Sequence, residues 1–239
     1  MRRMYQTYIF DLYGTLIDIR TDEEHPLLWD SMAVHFGYQG METTGSQLRP
    51  LVSREIERLL ATGRETYEFP DFVMEEAFAA VARELKGQVS NAWLNETVRW
   101  FRTMSIRRLA LYDGVKEVLE ALKGKGKRIY LLSNGQKTFI EAELRQLGIL
   151  HLFDGIAISS EARTSKPDPA FYEYLQRTYG ADLSSAIMIG NDPRTDLEGA
   201  RRVGIDACYI HTESSPDRVE VTSLYQIWDG DFRRIPGWR

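Results

Sequence analysis

The chain of 239 residues carries a single cysteine, Cys208. One thiol cannot form an intramolecular disulfide, and a cysteine-rich zinc site is excluded with it. The four histidines, His25, His35, His151 and His211, stand apart, with no metal-ligand spacing between any two. No apolar run approaches the roughly 20 residues that span a bilayer. The opening Met1-Arg-Arg-Met-Tyr-Gln runs straight into a strand-like segment and lacks the ~7–15-residue apolar core of a secretory signal. Lysines and arginines are scattered, and the net charge is −5. Phosphate-backbone binding needs a concentrated basic face, so nucleic acid is not expected as a partner. No repeat or low-complexity tract is present. Together these absences predict a protein of the reducing cytoplasm that engages neither membrane nor nucleic acid.

What remains is an ordinary globular composition, 43% hydrophobic and 27% charged, able to bury a sizeable core. Short apolar runs recur along the chain: Tyr8 to Phe10, Ile129 to Leu132, Gly155 to Ile158, Ala186 to Ile189, and Ala207 to Ile210. Segments of helical spacing separate the later ones: Val115 to Lys123, Lys137 to Leu147, Pro169 to Tyr179, and Asp196 to Val203. Such alternation predicts an α/β fold, a Rossmann-like parallel sheet covered on both faces. Residues 21–108 read differently. Their apolar positions recur at three and four residues, with Gly37, Gly40, Gly45, Gly63, Pro70 and Gly87 as punctuation. Four helices are expected there, an α-helical cap (21–108) inserted into a core made of 1–20 and 109–239.

In an open parallel sheet, ligands bind beyond the carboxyl ends of the strands. Four polar sets fall there: Asp11 with Thr15, Ser133 with Asn134, Ser165 with Lys166, and Asp192 with Asp196. Each alone has a bland explanation. Asp11 could cap a turn, Ser133 and Asn134 could start a helix, and acids early in a helix suit its dipole. Their common location is what suggests chemistry, with Asp11 as a nucleophile and Lys166, stiffened by Pro167 and Pro169, as its counter-charge.

Phe10-Asp11-Leu12-Tyr13-Gly14-Thr15-Leu16 resembles the first motif of the haloacid dehalogenase superfamily. Leu131-Leu132-Ser133-Asn134 is similar to its second, Ser165-Lys166-Pro167-Asp168 to its third, and Gly190-Asn191-Asp192-Pro-Arg-Thr-Asp196 to its fourth. The resemblance implies attack by Asp11, with Ser133 and Lys166 holding the negative charge of the transferring group. It implies Mg²⁺ held by Asp11, Asp192 and the backbone carbonyl of Tyr13. Gly14, Thr15, Ser133, Asn134 and Lys166 are the substrate-binding candidates, and Tyr13 joins Asp11, Ser133 and Lys166 as a catalytic candidate.

Tyr13 is also the departure from the pattern. Family phosphatases carry a second aspartate there as acid and base, and a phenol with a pKa near about 10 does that work poorly. Asp-Leu-Tyr-Gly-Thr-Leu is similar instead to the metal-free 2-haloacid dehalogenases, as are Ser133-Asn134-Gly135 and Tyr172. Against them, no arginine lies close to Trp29 to receive halide, and Arg49 and Arg54 are loose candidates. Two acids near Asp11 would also repel one another without a metal. The expectation is therefore a Mg²⁺-dependent phosphohydrolase acting on a small anionic metabolite, as a monomer or homodimer. A metal-independent 2-haloacid dehalogenase and a non-hydrolysing binder of phosphorylated metabolites are the alternatives.

Overall fold

The computed structural model describes residues 4–238; Met1 to Arg3 and Arg239 lie outside it. The chain opens with β1 (Thr7–Phe10), buried throughout, and turns through residues 11–16 into β2 (Ile17–Thr21). Four helices follow, α1 (Pro26–Gly37), α2 (Gly45–Gly63), α3 (Met74–Glu84) and α4 (Asn91–Ser105), before β3 (Ile106–Leu111) returns to the core. The remainder alternates: α5 (Val115–Gly124), β4 (Arg128–Ser133), α6 (Lys137–Gln146), β5 (Gly155–Ile158), the short α7 (Ser159–Ala162), α8 (Pro169–Tyr179), β6 (Ala186–Gly190), α9 (Glu198–Val203), β7 (Asp206–Ile210) and β8 (Tyr225–Ile227).

Among the described residues, six strands form one parallel sheet in the order β5-β4-β1-β6-β7-β8. The expected α/β fold with an inserted helical cap is what the chain adopts. Side chains alternate across the sheet. Tyr8, Phe10, Leu131 and Ile189 pack on one face with Val118, Leu122 and Ile140. Ile9, Tyr130, Leu132 and Met188 pack on the other with Phe171, Tyr172 and Leu175. Local chemistry sets the helix ends. Asp168 accepts from the Ala170 amide at 3.0 Å and Pro169 opens α8, while Gly180 closes it at φ 68°.

The cap has its own apolar centre, in which Phe36, Phe78, Trp93 and Phe101 meet at ring centroid distances of 5.1–6.2 Å. Two features were not expected. β2 and β3 pair antiparallel, so the strands entering and leaving the cap form one ribbon. The stretch Ile-Asp-Ile-Arg-Thr alternates too briefly to register as a strand without its partner. β8 is three residues long and its neighbours carry no apolar run, so only pairing with β7 defines it. No helix among the described residues is long and apolar enough to cross a membrane.

Candidate active site

β1 lies in the middle of the sheet, between β4 and β6, which places Asp11 at the centre of the carboxyl rim. The Asp11 amide donates to the Ile189 carbonyl at 3.0 Å. The chain then folds back tightly, the amides of Thr15, Leu16 and Ile17 all donating to the Leu12 carbonyl. Gly14 sits in that turn at φ +83°, and a Cβ there would meet the Asn191 amide nitrogen at 2.7 Å, so glycine is required for both reasons. Its carbonyl accepts from the Thr212 hydroxyl at 2.5 Å.

Lys166 reaches this rim fully buried. Its ammonium donates to Asp11 Oδ1 at 2.6 Å and to Asp196 Oδ1 at 2.7 Å. Burial alone would push the ammonium pKa down, but the two carboxylates hold it above the ordinary lysine value. Asn134 grips the lysine backbone on both sides, accepting from its amide at 2.9 Å and donating to its carbonyl at 3.2 Å. The Lys166–Pro167 peptide is cis. The Thr15 hydroxyl lies 2.9 Å from Asp11 Oδ2 and 3.1 Å from Asn191 Oδ1.

Asp196 is the residue that motif spacing undervalued. It lies against Gly190, where a Cβ would overlap its carboxylate, and its Oδ2 accepts from the Asp192 amide at 3.0 Å. Burial pushes its pKa up to about 6, against the pull of Lys166 and with the push of Asp11. Tyr172 stands below, its hydroxyl 3.5 Å from the Asp196 carbonyl in space that Gly199 leaves free.

Asp192 goes elsewhere. Its Oδ1 accepts from the Arg194 amide and Nε at 2.9 and 3.0 Å, and its Oδ2 from the same guanidinium at 2.8 Å. Burial works against that charge, but Arg194 holds the Asp192 pKa below the usual carboxylate range. The residue facing the nucleophile turn is its neighbour Asn191, which is neutral. The expected magnesium donors therefore do not fit that ion in this arrangement. Of the two carboxylates in the expected set, Asp11 stands at the rim and Asp192 is bonded to Arg194 instead. The repulsion that called for a metal is relieved by Lys166.

Ser133 ends β4, one strand from Asp11, and its hydroxyl is wholly buried with no hydrogen-bond partner. A buried orphan hydroxyl costs about 1–3 kcal/mol, which a substrate oxygen would offset. Tyr13 turns away from the carboxylates. Its hydroxyl donates to Glu143 of α6 at 2.6 Å, and burial first, then the Glu143 charge, raises its pKa well above the usual phenol value. As placed, that phenol stays protonated and cannot serve as a base. Asn191, Asp196 as an ion-pair partner, Glu143 and Arg102 were missing from the sequence candidates; the buried polar stretch Gly190-Asn191 was the available signal for the first.

Residues 5–204 match the family model of haloacid dehalogenase-like hydrolases. The chain is 28% identical to an (S)-2-haloacid dehalogenase of Pseudomonas over 231 residues, covering 91% of this chain and 90% of that one. It is 29% identical to a phosphoserine phosphatase of Thermus thermophilus over 129 residues, so that match spans about half of each chain, 54% and 51%. The magnesium-bound HAD-hydrolase YfnB of Bacillus subtilis shares the fold, with a TM-score of 0.54, 19% identity, and coverage of 94% of this chain and 95% of that one.

Proposed function

The chain belongs to the haloacid dehalogenase-like hydrolases, and from that membership we propose that it releases halide from a small 2-halo acid through Asp11, without a metal ion. The carrying observation is the buried ammonium of Lys166 bonded to Asp11 and Asp196 at 2.6 and 2.7 Å. One fixed cation already offsets the acids at the rim. The chemistry this suits is displacement of a leaving group that needs no proton, because the Tyr13 hydroxyl is bonded to Glu143 and not directed at the rim. The dehalogenase relative, aligned over nearly the whole chain, supports the same reading.

Asp11 Oδ attacks C2 of the substrate, an ester bond forms, and the C–halogen electron pair leaves with halide. Holding the carboxylate between Lys166 and Thr15 aims one oxygen and removes the cost of bringing two reactants together. Water then adds to the Asp11 carboxyl carbon, releasing the 2-hydroxy acid and a proton and restoring the carboxylate. In this reading the Ser133 hydroxyl, buried without a partner, donates to the substrate carboxylate. The lone buried Cys208 suits a reducing cytoplasm.

A second reading, a magnesium-dependent phosphohydrolase acting on a phosphorylated metabolite, is favoured by the phosphatase relative. Halide release from (S)-2-chloropropanoate in EDTA, measured beside phosphate release from p-nitrophenyl phosphate in Mg²⁺, separates the two. Halide release unaffected by chelation is the expected result. Phosphate release that requires Mg²⁺, with no halide, would overturn the proposal and establish the second reading.

A further inference from the structure

Of the described arginines, only Arg102 is buried. It stands in the last turn of α4, in the cap; beyond a 3.9 Å pairing with Glu23, its closest partners belong to the core. Its Nε donates to Glu143 Oε1 at 2.7 Å, and its guanidinium carbon lies 4.7 Å from the Phe139 ring centroid and 5.2 Å from that of Tyr13. Glu143 gives its other oxygen to the Tyr13 hydroxyl at 2.6 Å. The Tyr13 ring in turn covers Gly135, where a Cβ would come within 3.2 Å of it. Gly135 follows Asn134, which grips Lys166. One side chain of the cap is thus linked to the loop two residues beyond the nucleophile and to the segment that sets its counter-charge.

The other seam between cap and core also touches the rim segments, through Ser165 beside Lys166 and through Ser159, which accepts from the Gly135 amide at 2.8 Å, but its ion pair lies at the surface. There Glu76 pairs with the half-exposed Arg163, the Phe69 carbonyl accepts from the Ser165 amide, and Asp71 accepts from the Ser159 hydroxyl. An exposed ion pair holds little, roughly 0–1 kcal/mol. The Arg102–Glu143 pair is buried on both sides and cannot be left half-made without a large cost.

We infer that Arg102 is a positioning residue: when the cap seats, its guanidinium fixes Glu143 and the Tyr13 ring, and through them the loop that aims Asp11. The inference rests on Asp11 as nucleophile, and not on which group leaves. A free, unseated cap would leave Glu143 bonded to Tyr13 alone and the loop less constrained.

Arg102→Leu strands a buried charge, so the decisive variant is Arg102→Leu with Glu143→Leu, which removes both charges and leaves only the Tyr13 hydroxyl without its acceptor. On (S)-2-chloropropanoate its kcat is expected to fall roughly 10- to 100-fold with KM changed less than about threefold, the loss typical of a reacting group misplaced by about 1 Å. Arg102→Lys, which keeps the charge, should retain part of that kcat. A wild-type kcat in the double variant overturns the inference. Spin labels on Val34→Cys and Leu224→Cys, both exposed sites, give the second readout, since the buried Cys208 stays unlabelled. Should the unmodified protein release no halide, the leaving-group reading fails and this distance decides the positioning role. A broadened cap–core distribution in the double variant sustains it, and an unchanged one overturns it.

Discussion

Replacing Lys166 by methionine removes the one cation between two buried acids. In the native site the ammonium sits 2.6 Å from Asp11 and 2.7 Å from Asp196. Breaking a buried ion pair by deleting one partner costs about 3–5 kcal/mol, because the remaining charge stays desolvated. Part of that cost is repulsion. Two carboxylates roughly 5 Å apart, at an effective dielectric near 20, oppose each other by about 3 kcal/mol. Neutralising the second acid should therefore restore most of the repulsive part, so Lys166→Met with Asp196→Asn is expected to be about 3 kcal/mol more stable than Lys166→Met alone. Urea unfolding of the wild type, both single variants and the double closes the cycle. Failure of Lys166→Met to fold counts as the large penalty, and the double variant then recovers folding. The reasoning is refuted if the single variant loses less than about 1 kcal/mol, or if the second substitution gives nothing back.

Asp11→Asn should abolish halide release, since an amide oxygen is no nucleophile at this carbon, while the melting temperature stays above that of Lys166→Met; turnover at the wild-type rate would discard Asp11 as attacker. Ser133→Ala deletes a buried hydroxyl that has no partner, so unfolding should show no loss of stability while KM for the 2-halo acid rises about tenfold. A loss of more than about 1 kcal/mol would mean that the hydroxyl is satisfied in the free protein. For pH, the folded-state pKa of Asp196 is raised from 3.8 to about 6, so folding favours its protonated form. Its stabilising contribution is complete below about 3.8 and is lost as pH rises through about 6. Wild-type stability relative to Asp196→Asn should accordingly increase as pH falls from about 7 to about 4, and a flat difference would show that Asp196 keeps its ordinary value.

The linear order of residues determined the architecture, because strand and helix periodicity are local properties. Five apolar runs became the five longer strands of the sheet, with Asp11 following β1, Ser133 ending β4 and Lys166 in the loop after α7, so these three were legible as a group. Thr15 and Asn134 were legible for the same reason. Tyr13 stood out in the sequence as a departure from the motif, but nothing local said that its ring would turn toward α6. Only the folded chain decided which acid answers Lys166. Asp192 and Asp196 are four residues apart, and the turn at Pro193–Leu197 sends one to Arg194 at the surface and the other beneath Gly190. Direction of a side chain out of an irregular turn depends on what packs against it, and sequence spacing carries no record of that. The same holds for Arg102 and Glu143, 41 residues apart and on different layers. Their pairing exists only because the cap folds back over α6, and a buried charge can be recognised as such only once its burial is seen.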